Sequence, residues 1–272
     1  MLLKSIKISI ILVLVVSFMS VASYAQASPV AAPQTAPGAI EVNVMCSGAF
    51  YSALEELAPI YEQSSGRKLV LISGSSMGAS PTSIPTRLKQ GENADVVIMA
   101  GSALDALIRD GLVVPGSRVD LVLSKIGMVV RAGAPKPDIS NTDAFIRTLL
   151  AAKSIGYSAS ASGTYLSEVL FPRLGINDQI KDKAKLIVKD RVASLVARGE
   201  LEIGFQQVSE LLPVPGVDFV GTIPEDLQQV TVFSSGIATG SKQVSEGEKL
   251  VQFFRSAAAR PVIIKQGLEP AP

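Results

Sequence analysis

Three short turns made of glycine and hydroxyl side chains are where this chain has the means for chemistry: Ser47-Gly48, Gly74-Ser75-Ser76-Met77-Gly78 and Ser160-Ala161-Ser162-Gly163-Thr164. Each follows a strand-like run. Helix N-termini carry unpaired N–H groups and the positive end of the helix dipole, so several such turns aimed at one cleft hold an anion without any net charge. Ser47, Ser75, Ser76, Ser160, Ser162 and Thr164 are the candidate donors, although Ser47 and Ser162 taken singly also read as ordinary N-caps. Arg87, on a short helix after the second turn, and Arg191, just ahead of another helix start, are placed to pair bidentately with a carboxylate or phosphate, the alternative being a merely solvated arginine. In the run Ile203-Gly204-Phe205-Gln206-Gln207-Val208-Ser209-Glu210, Gln206 and Gln207 end a strand and point oppositely, so one of them faces the cleft; the sequence leaves open which. Tyr165 either offers its phenol to the cleft or packs on its helix.

What is missing narrows the chemistry further. There is no histidine and only one cysteine, which removes Ser-His-Asp and Cys-His catalysis, a zinc site and an internal disulfide. Cys46 sits inside a strand-like segment and reads as a buried, inert thiol. No acidic loop has the spacing of a calcium site, so neither metal nor cofactor is expected. The near-neutral balance, +1 over the whole chain, offers no basic face for nucleic acid.

The elements that must position these groups follow from periodicity. Lys4 and Lys7, an apolar run over 8–19 and small residues up to Ala25 and Ala27 have the layout of a secretory signal peptide over 1–27, cut near Ala25 or Ala27. The run is shorter than the ~20 residues a bilayer crossing needs, so cleavage and a soluble periplasmic product with no membrane span are expected. Losing those two cations turns +1 into −1 and leaves about 245 residues, enough for two lobes with real cores. Residues 28–39, rich in Pro, Ala and Ser, read as a flexible leader.

From Ile40 onward strands at 40–46, 68–73 and 95–100 alternate with helices at 50–63, 84–90 and 102–109, the pattern of a parallel sheet covered by helices. An extended segment over 119–130 leads into a second alternating unit, with helices at 142–152, 162–174 and 192–197 and strands at 154–158, 185–189 and 202–206. A second extended segment, 229–239, leads back to a last helix at 246–256. The economical architecture is α/β with two lobes joined by two hinge strands: 40–123 plus 232–272 form lobe 1, and 124–231 form lobe 2. A cleft between such lobes collects strand ends and helix N-termini around a ligand.

The order CSGAF, GSSMG, ADVVIMAG, ARGELEIGF resembles the periplasmic solute-binding proteins of the molybdate-receptor family over almost the whole mature chain. That resemblance implies a type II, two-lobed binding protein that closes on a small anion and delivers it to an ABC transporter, with ligand hydroxyls from Ser47 and from Ser75 or Ser76. Two departures argue against molybdate itself. Phe205-Gln206-Gln207 stands where the family carries a tyrosine, and the segment PTSIPTRL adds Pro85 and Arg87, which suits a di- or tricarboxylate. Within the family, GSSMGASPTSIPTRL and GFQQVSELLPVPGVDFVG resemble the branch that includes periplasmic aconitate isomerases. This implies an allylic proton shift with Tyr165, Glu210 or Asp190 as proton carrier, the arginines and donor turns clamping three carboxylates, and a closed cleft excluding water. Monomeric receptor and isomerase are thus the two expectations.

Overall fold

The structure, a computed structural model, describes residues 40–272. The expected signal peptide and leader lie outside the described residues. In chain order, β1 (Glu41–Ser47), α1 (Gly48–Ser65), β2 (Lys68–Gly74), α2 (Ile84–Lys89), β3 (Val96–Ala100), α3 (Gly101–Arg109) and β4 (Val119–Ser124) build the first lobe's sheet. The second lobe contains β5 (Ile126–Arg131), α4 (Thr142–Ala151), β6 (Ile155–Ser158) and α5 (Ala161–Thr164), the last running on through a π-helical turn, Tyr165–Leu170, into α6 (Phe171–Arg173). It continues with α7 (Asn177–Ile180), β7 (Ala184–Ile187), α8 (Val192–Ala197), β8 (Ile203–Gln207), α9 (Val208–Leu211) and β9 (Val217–Thr222). β10 (Thr231–Ile237), α10 (Val244–Phe254), α11 (Arg260–Lys265) and β11 (Glu269–Pro270) return to the first sheet.

The sheet orders are β11-β4-β10-β3-β1-β2 and β7-β6-β8-β5-β9. Only part of each is parallel. β1 pairs parallel with β2 and β3, and β6 with β7 and β8, while the strands beside the crossings run the other way: β10 is antiparallel to β3 and β4, and β5 to β8 and β9. The alternating strands read as parallel do pair so, and each sheet as a whole is mixed because each lobe-crossing segment enters it from the opposite end. The extended segment 119–130 breaks at Lys125, where the chain leaves one sheet for the other. Strand β9 carries no clear alternation, being half-buried along its whole length behind Pro213, Pro215 and Gly216, and so escapes a periodicity reading.

Each lobe has its own core. In the first, Phe50, Leu54, Leu57 and Tyr61 form the inward stripe of α1, which runs through Pro59 and ends at Gly66 in the left-handed region (φ 68°). Phe50 meets Phe254 of α10 edge to face at 5.3 Å. In the second, Phe145 and Phe205 pack likewise at 5.7 Å. No helix among the described residues is long and apolar enough to cross a membrane.

One buried carboxylate anchors the end of the first sheet remote from the cleft. Asp95, 1% exposed, accepts from the Asn43 backbone N–H (2.8 Å) and side-chain amide (3.2 Å), the Ser241 hydroxyl (2.8 Å) and the Lys242 N–H (3.2 Å). Asp95→Ala removes the acceptor that these donors share. It is expected to cost about 3 kcal/mol, read as a fall of about 10 °C in Tm by thermal melting, with ligand binding per folded molecule unchanged.

Candidate functional site

The strand ends of the two lobes enclose a cavity of about 310 Å³, within the range of ~300–1,000 Å³ usual for small-molecule sites. All three small-residue turns reach it: Gly48 from the first, Gly74 and Ser75 from the second, Ser160 from the third. Asp190, Arg191, Gln206 and Glu210 line its other side. The structure therefore brings Ser75, Ser160, Asp190, Arg191, Gln206 and Glu210 around one cavity. It distributes the remaining candidates elsewhere.

Ser47 occupies the N-cap position of α1 with extended backbone (φ −78°, ψ 157°), but its side chain caps nothing; its hydroxyl is buried and has no hydrogen-bond partner among the described residues. Ser75 lines the cavity and donates to the Met77 carbonyl at 2.8 Å. Ser76 does not line it. Its fully buried hydroxyl accepts from the Ala100 N–H at 3.0 Å and pins the turn to β3. Arg87 is likewise set back, with Nη1 donating to the Ser73 carbonyl at 3.0 Å and Nε 3.3 Å from Glu92, so its charge is already partnered. It holds up the wall instead of lining it.

In the third turn Ser162 is buried and its hydroxyl pairs with that of Ser158 at 3.2 Å, while Thr164 lies one turn into the helix. Gly163 is obligatory, since a Cβ there would stand 1.6 Å from the Ser158 carbonyl oxygen. Tyr165 turns to the lobe's core and donates to the Leu227 carbonyl at 2.8 Å, so its phenol is spent away from the cavity. Asp190 sits at the rim, its side chain 59% exposed and 3.8 Å from Arg198.

The two glutamines separate as strand alternation requires. Gln207 faces the crossing strands, donating to Thr231 Oγ1 at 3.2 Å. Gln206 faces the cavity: its Oε1 accepts from the Val192 N–H at 3.1 Å, and its Nε2 donates to Glu210 Oε1 at 2.8 Å.

Glu210 is the distinctive group. Burial pushes its carboxyl up from the ordinary carboxylate range to about 7, against the pull of the Arg191 charge and of hydrogen bonds from Gln206 and the Gln207 backbone. The carboxyl lies over the first residue of α1, where a Cβ on Gly48 would fall 2.1 Å from Oε1. Cys46, directly behind, is fully buried, and its thiol is raised by burial first and by the nearby Glu210 and Glu55 second. A proton at Glu210 is thus held with an affinity suited to giving and taking near neutrality. Sequence reasoning missed the role of Gly48, for which nothing local signals a close approach, and also Lys189, whose place on the cavity wall follows only from the turn after β7.

Comparison with known proteins agrees with this architecture. A Pseudomonas protein named aconitate isomerase is 47% identical over 231 residues, covering 85% of this chain and 88% of its own. Among solved structures, the periplasmic molybdate-binding protein of Azotobacter vinelandii superposes with a TM-score of 0.68 at 20% identity, over 85% of this chain and 99% of that one. The sulfate-binding protein of Mycobacterium tuberculosis does so with 0.67 at 16% identity, over 85% and 87%. With residues 42–269 matching the family as well, the two-lobed chain belongs to the bacterial extracellular solute-binding proteins.

Proposed function

We propose that the protein is a periplasmic aconitate isomerase that interconverts cis- and trans-aconitate with Glu210 as the proton carrier. The observation that carries this reading is a buried carboxyl, pushed up by burial to about 7, on the wall of an interlobe cavity fringed with anion donors. Aconitate is a three-carbon allylic chain bearing three carboxylates. Ionised Glu210 takes a proton from the methylene carbon, and the electron pair spreads over the three carbons and into the adjoining carboxylate. The same carboxyl then returns the proton to the far carbon. The double bond has moved by one position and no atom is gained or lost. Because the new double bond forms along what had been a rotatable single bond, its cis or trans geometry is set by how the terminal carboxylates are held. Arg191, Ser160 and the N-terminus of α1 are the groups disposed to hold them. Relatedness to a protein named aconitate isomerase over most of both chains, and the leader pattern over 1–27, support the substrate and the location.

The test is to incubate purified protein with either isomer and separate the products by chromatography. Convergence on one mixture from both sides is expected; no interconversion, with an isomer nevertheless raising Tm, would sink the enzyme reading. That second outcome defines the other role, a receptor delivering a carboxylate to an ABC transporter. Its support is the fold shared with the molybdate- and sulfate-binding proteins.

Arg191 lies ahead of α8, half-exposed on the cavity wall, where a charge-assisted bond to a carboxylate is worth ~1.5–2 kcal/mol. Arg191→Ala is expected to raise KM for aconitate about tenfold to thirtyfold by this term. Because the arginine's field holds the Glu210 proton affinity down, the acid limb of kcat/KM should also move to higher pH. Steady-state kinetics across pH 5–9 read both effects, and an unchanged KM would remove Arg191 from the carboxylate clamp.

A further inference from the structure

Hydrogen-bond geometry gives Gln206 a part that neither the fold nor the reaction chemistry requires of it. We infer that Gln206 is a positioning residue, a rigid bridge from the backbone at the start of α8 to the Glu210 carboxyl, and that it fixes the orientation in which that carboxyl meets substrate. The inference rests on Glu210 being the proton carrier.

The amide has one possible orientation. The Val192 N–H, 3.1 Å away, is a donor and must meet the amide oxygen, which turns the NH2 toward Glu210 Oε1 at 2.8 Å. The reverse placement would set donor against donor at Val192 and oxygen against oxygen at Glu210. Gln206 is itself 4% exposed, so no water competes for these contacts. Both partners come from rigid elements: Gln206 from β8, paired on both sides by β5 and β6, and Val192 from the first turn of α8 packed on it. On the other side, Gly48 leaves Oε1 just the space it occupies. One oxygen of the carboxyl is therefore clamped between amide and helix start, and the carboxyl also accepts from the Gln207 backbone N–H.

The bridge also joins the carrier to the carboxylate clamp, because the residue before Val192 is Arg191. Other charged or titratable groups about Glu210 are few. Arg191 acts from the turn ahead of α8, Cys46 lies behind on β1 with Glu55 of α1 beyond it, and Lys189 and Asp190 stand exposed across the cavity. Gln206 is the side chain that bonds the carboxyl directly, and a donor to the ionised form favours ionisation.

Two variants test this. Gln206→Met keeps length and burial but removes the amide. It should lower kcat by about tenfold or more, since misplacing a reacting group by ~1 Å costs up to 10²-fold, and leave KM within about threefold. It should also move the acid limb of kcat/KM to higher pH, because a bond favouring the ionised carboxyl is lost. Gln206→Glu should move that limb further still, since two carboxyls in contact resist ionising together. A residue that only packs would lower kcat or Tm and leave the limb in place, and an unmoved limb in both variants overturns the inference. Titration of the Glu210 side-chain carbon by 13C NMR, assigned with Glu210→Gln, reads the same shift without substrate. If the wild-type protein fails to interconvert the isomers, the isomerase reading fails by itself, and an unshifted NMR titration in Gln206→Met would separately refute the bridge.

Discussion

Glu210→Gln is expected to stop the interconversion of the aconitate isomers almost completely, lowering kcat by about three orders of magnitude, in line with the ~10²–10⁴-fold contribution of a positioned acid–base group. The amide preserves shape and still accepts from Gln206 Nε2, so the fold and the cavity should remain. What it cannot do is take a proton from carbon. The same substitution should make the protein more stable at alkaline pH. A carboxyl whose affinity is raised from the ordinary value of 4.5 to about 7 favours the protonated folded state. Its stabilising contribution is complete below pH 4.5 and is lost as pH rises through 7, where a charge must be kept in a buried site. At 1.36 kcal/mol per unit this amounts to an order of magnitude of ~3 kcal/mol, or several degrees in Tm at pH 8–9. Thermal melts of both proteins from pH 4 to 9 should coincide near pH 4, separate as pH rises from about 4.5 to 7, and keep a constant gap above that. Parallel melting curves across that range, or activity retained within tenfold, would show that Glu210 is not the proton carrier.

The window in which that titration is read is open because the other strongly perturbed carboxyl behaves oppositely. Glu246, at the start of α10, is held down to about 2 by hydrogen bonds from Arg67 and Lys249. Its depressed affinity gives stability present above about 4.5 and lost only as pH falls toward 2. Between pH 5 and 9 this group stays charged and silent. Changes over that range report the cavity instead of the surface.

Much of the fold was legible because period and punctuation are local. Leu54, Leu57 and Tyr61 mark the buried face of α1, and Pro85 with Gly91 bracket α2, whose first turn Ser83 caps. Strand direction was not, because β4, β5 and β10 take their sense from the lobe crossings and not from their own residues. The site divides in the same way. That the glycine-hydroxyl turns share a cavity followed from their position after strands. Which hydroxyl in each turn faces it did not, because adjacent residues such as Ser75 and Ser76 differ only in a dihedral that the Ala100 N–H decides from a distant strand. Arg87 and Tyr165 have the right chemistry, but Glu92 and the Leu227 carbonyl reach them first. Glu210 was a candidate by type alone. Its raised proton affinity comes from burial beside α1, more than a hundred and fifty residues earlier in the chain.

Gly48→Ala should separate catalysis from folding more cleanly than any other single change. The added methyl would stand 2.1 Å from Glu210 Oε1, a distance no real contact allows, and 3.0 Å from its carboxyl carbon. The obstacle is the end of a flexible side chain, so the carboxyl swings away and the helix is kept; alanine at this helix position costs the backbone nothing. The displacement breaks the 2.8 Å bond from Gln206 and moves the carboxyl by an ångström or more. That is enough to lower kcat by about a hundredfold. KM and Tm should change little, since Arg191, the backbone of α1 and the other two turns are untouched. Gly163→Ala is the contrast: there the methyl meets the Ser158 backbone carbonyl at 1.6 Å, nothing flexible yields, and Tm itself should fall. If Gly48→Ala lowers Tm as Gly163→Ala does, the glycine serves packing alone. If it leaves kcat intact, the carboxyl does not act from the place where α1 begins.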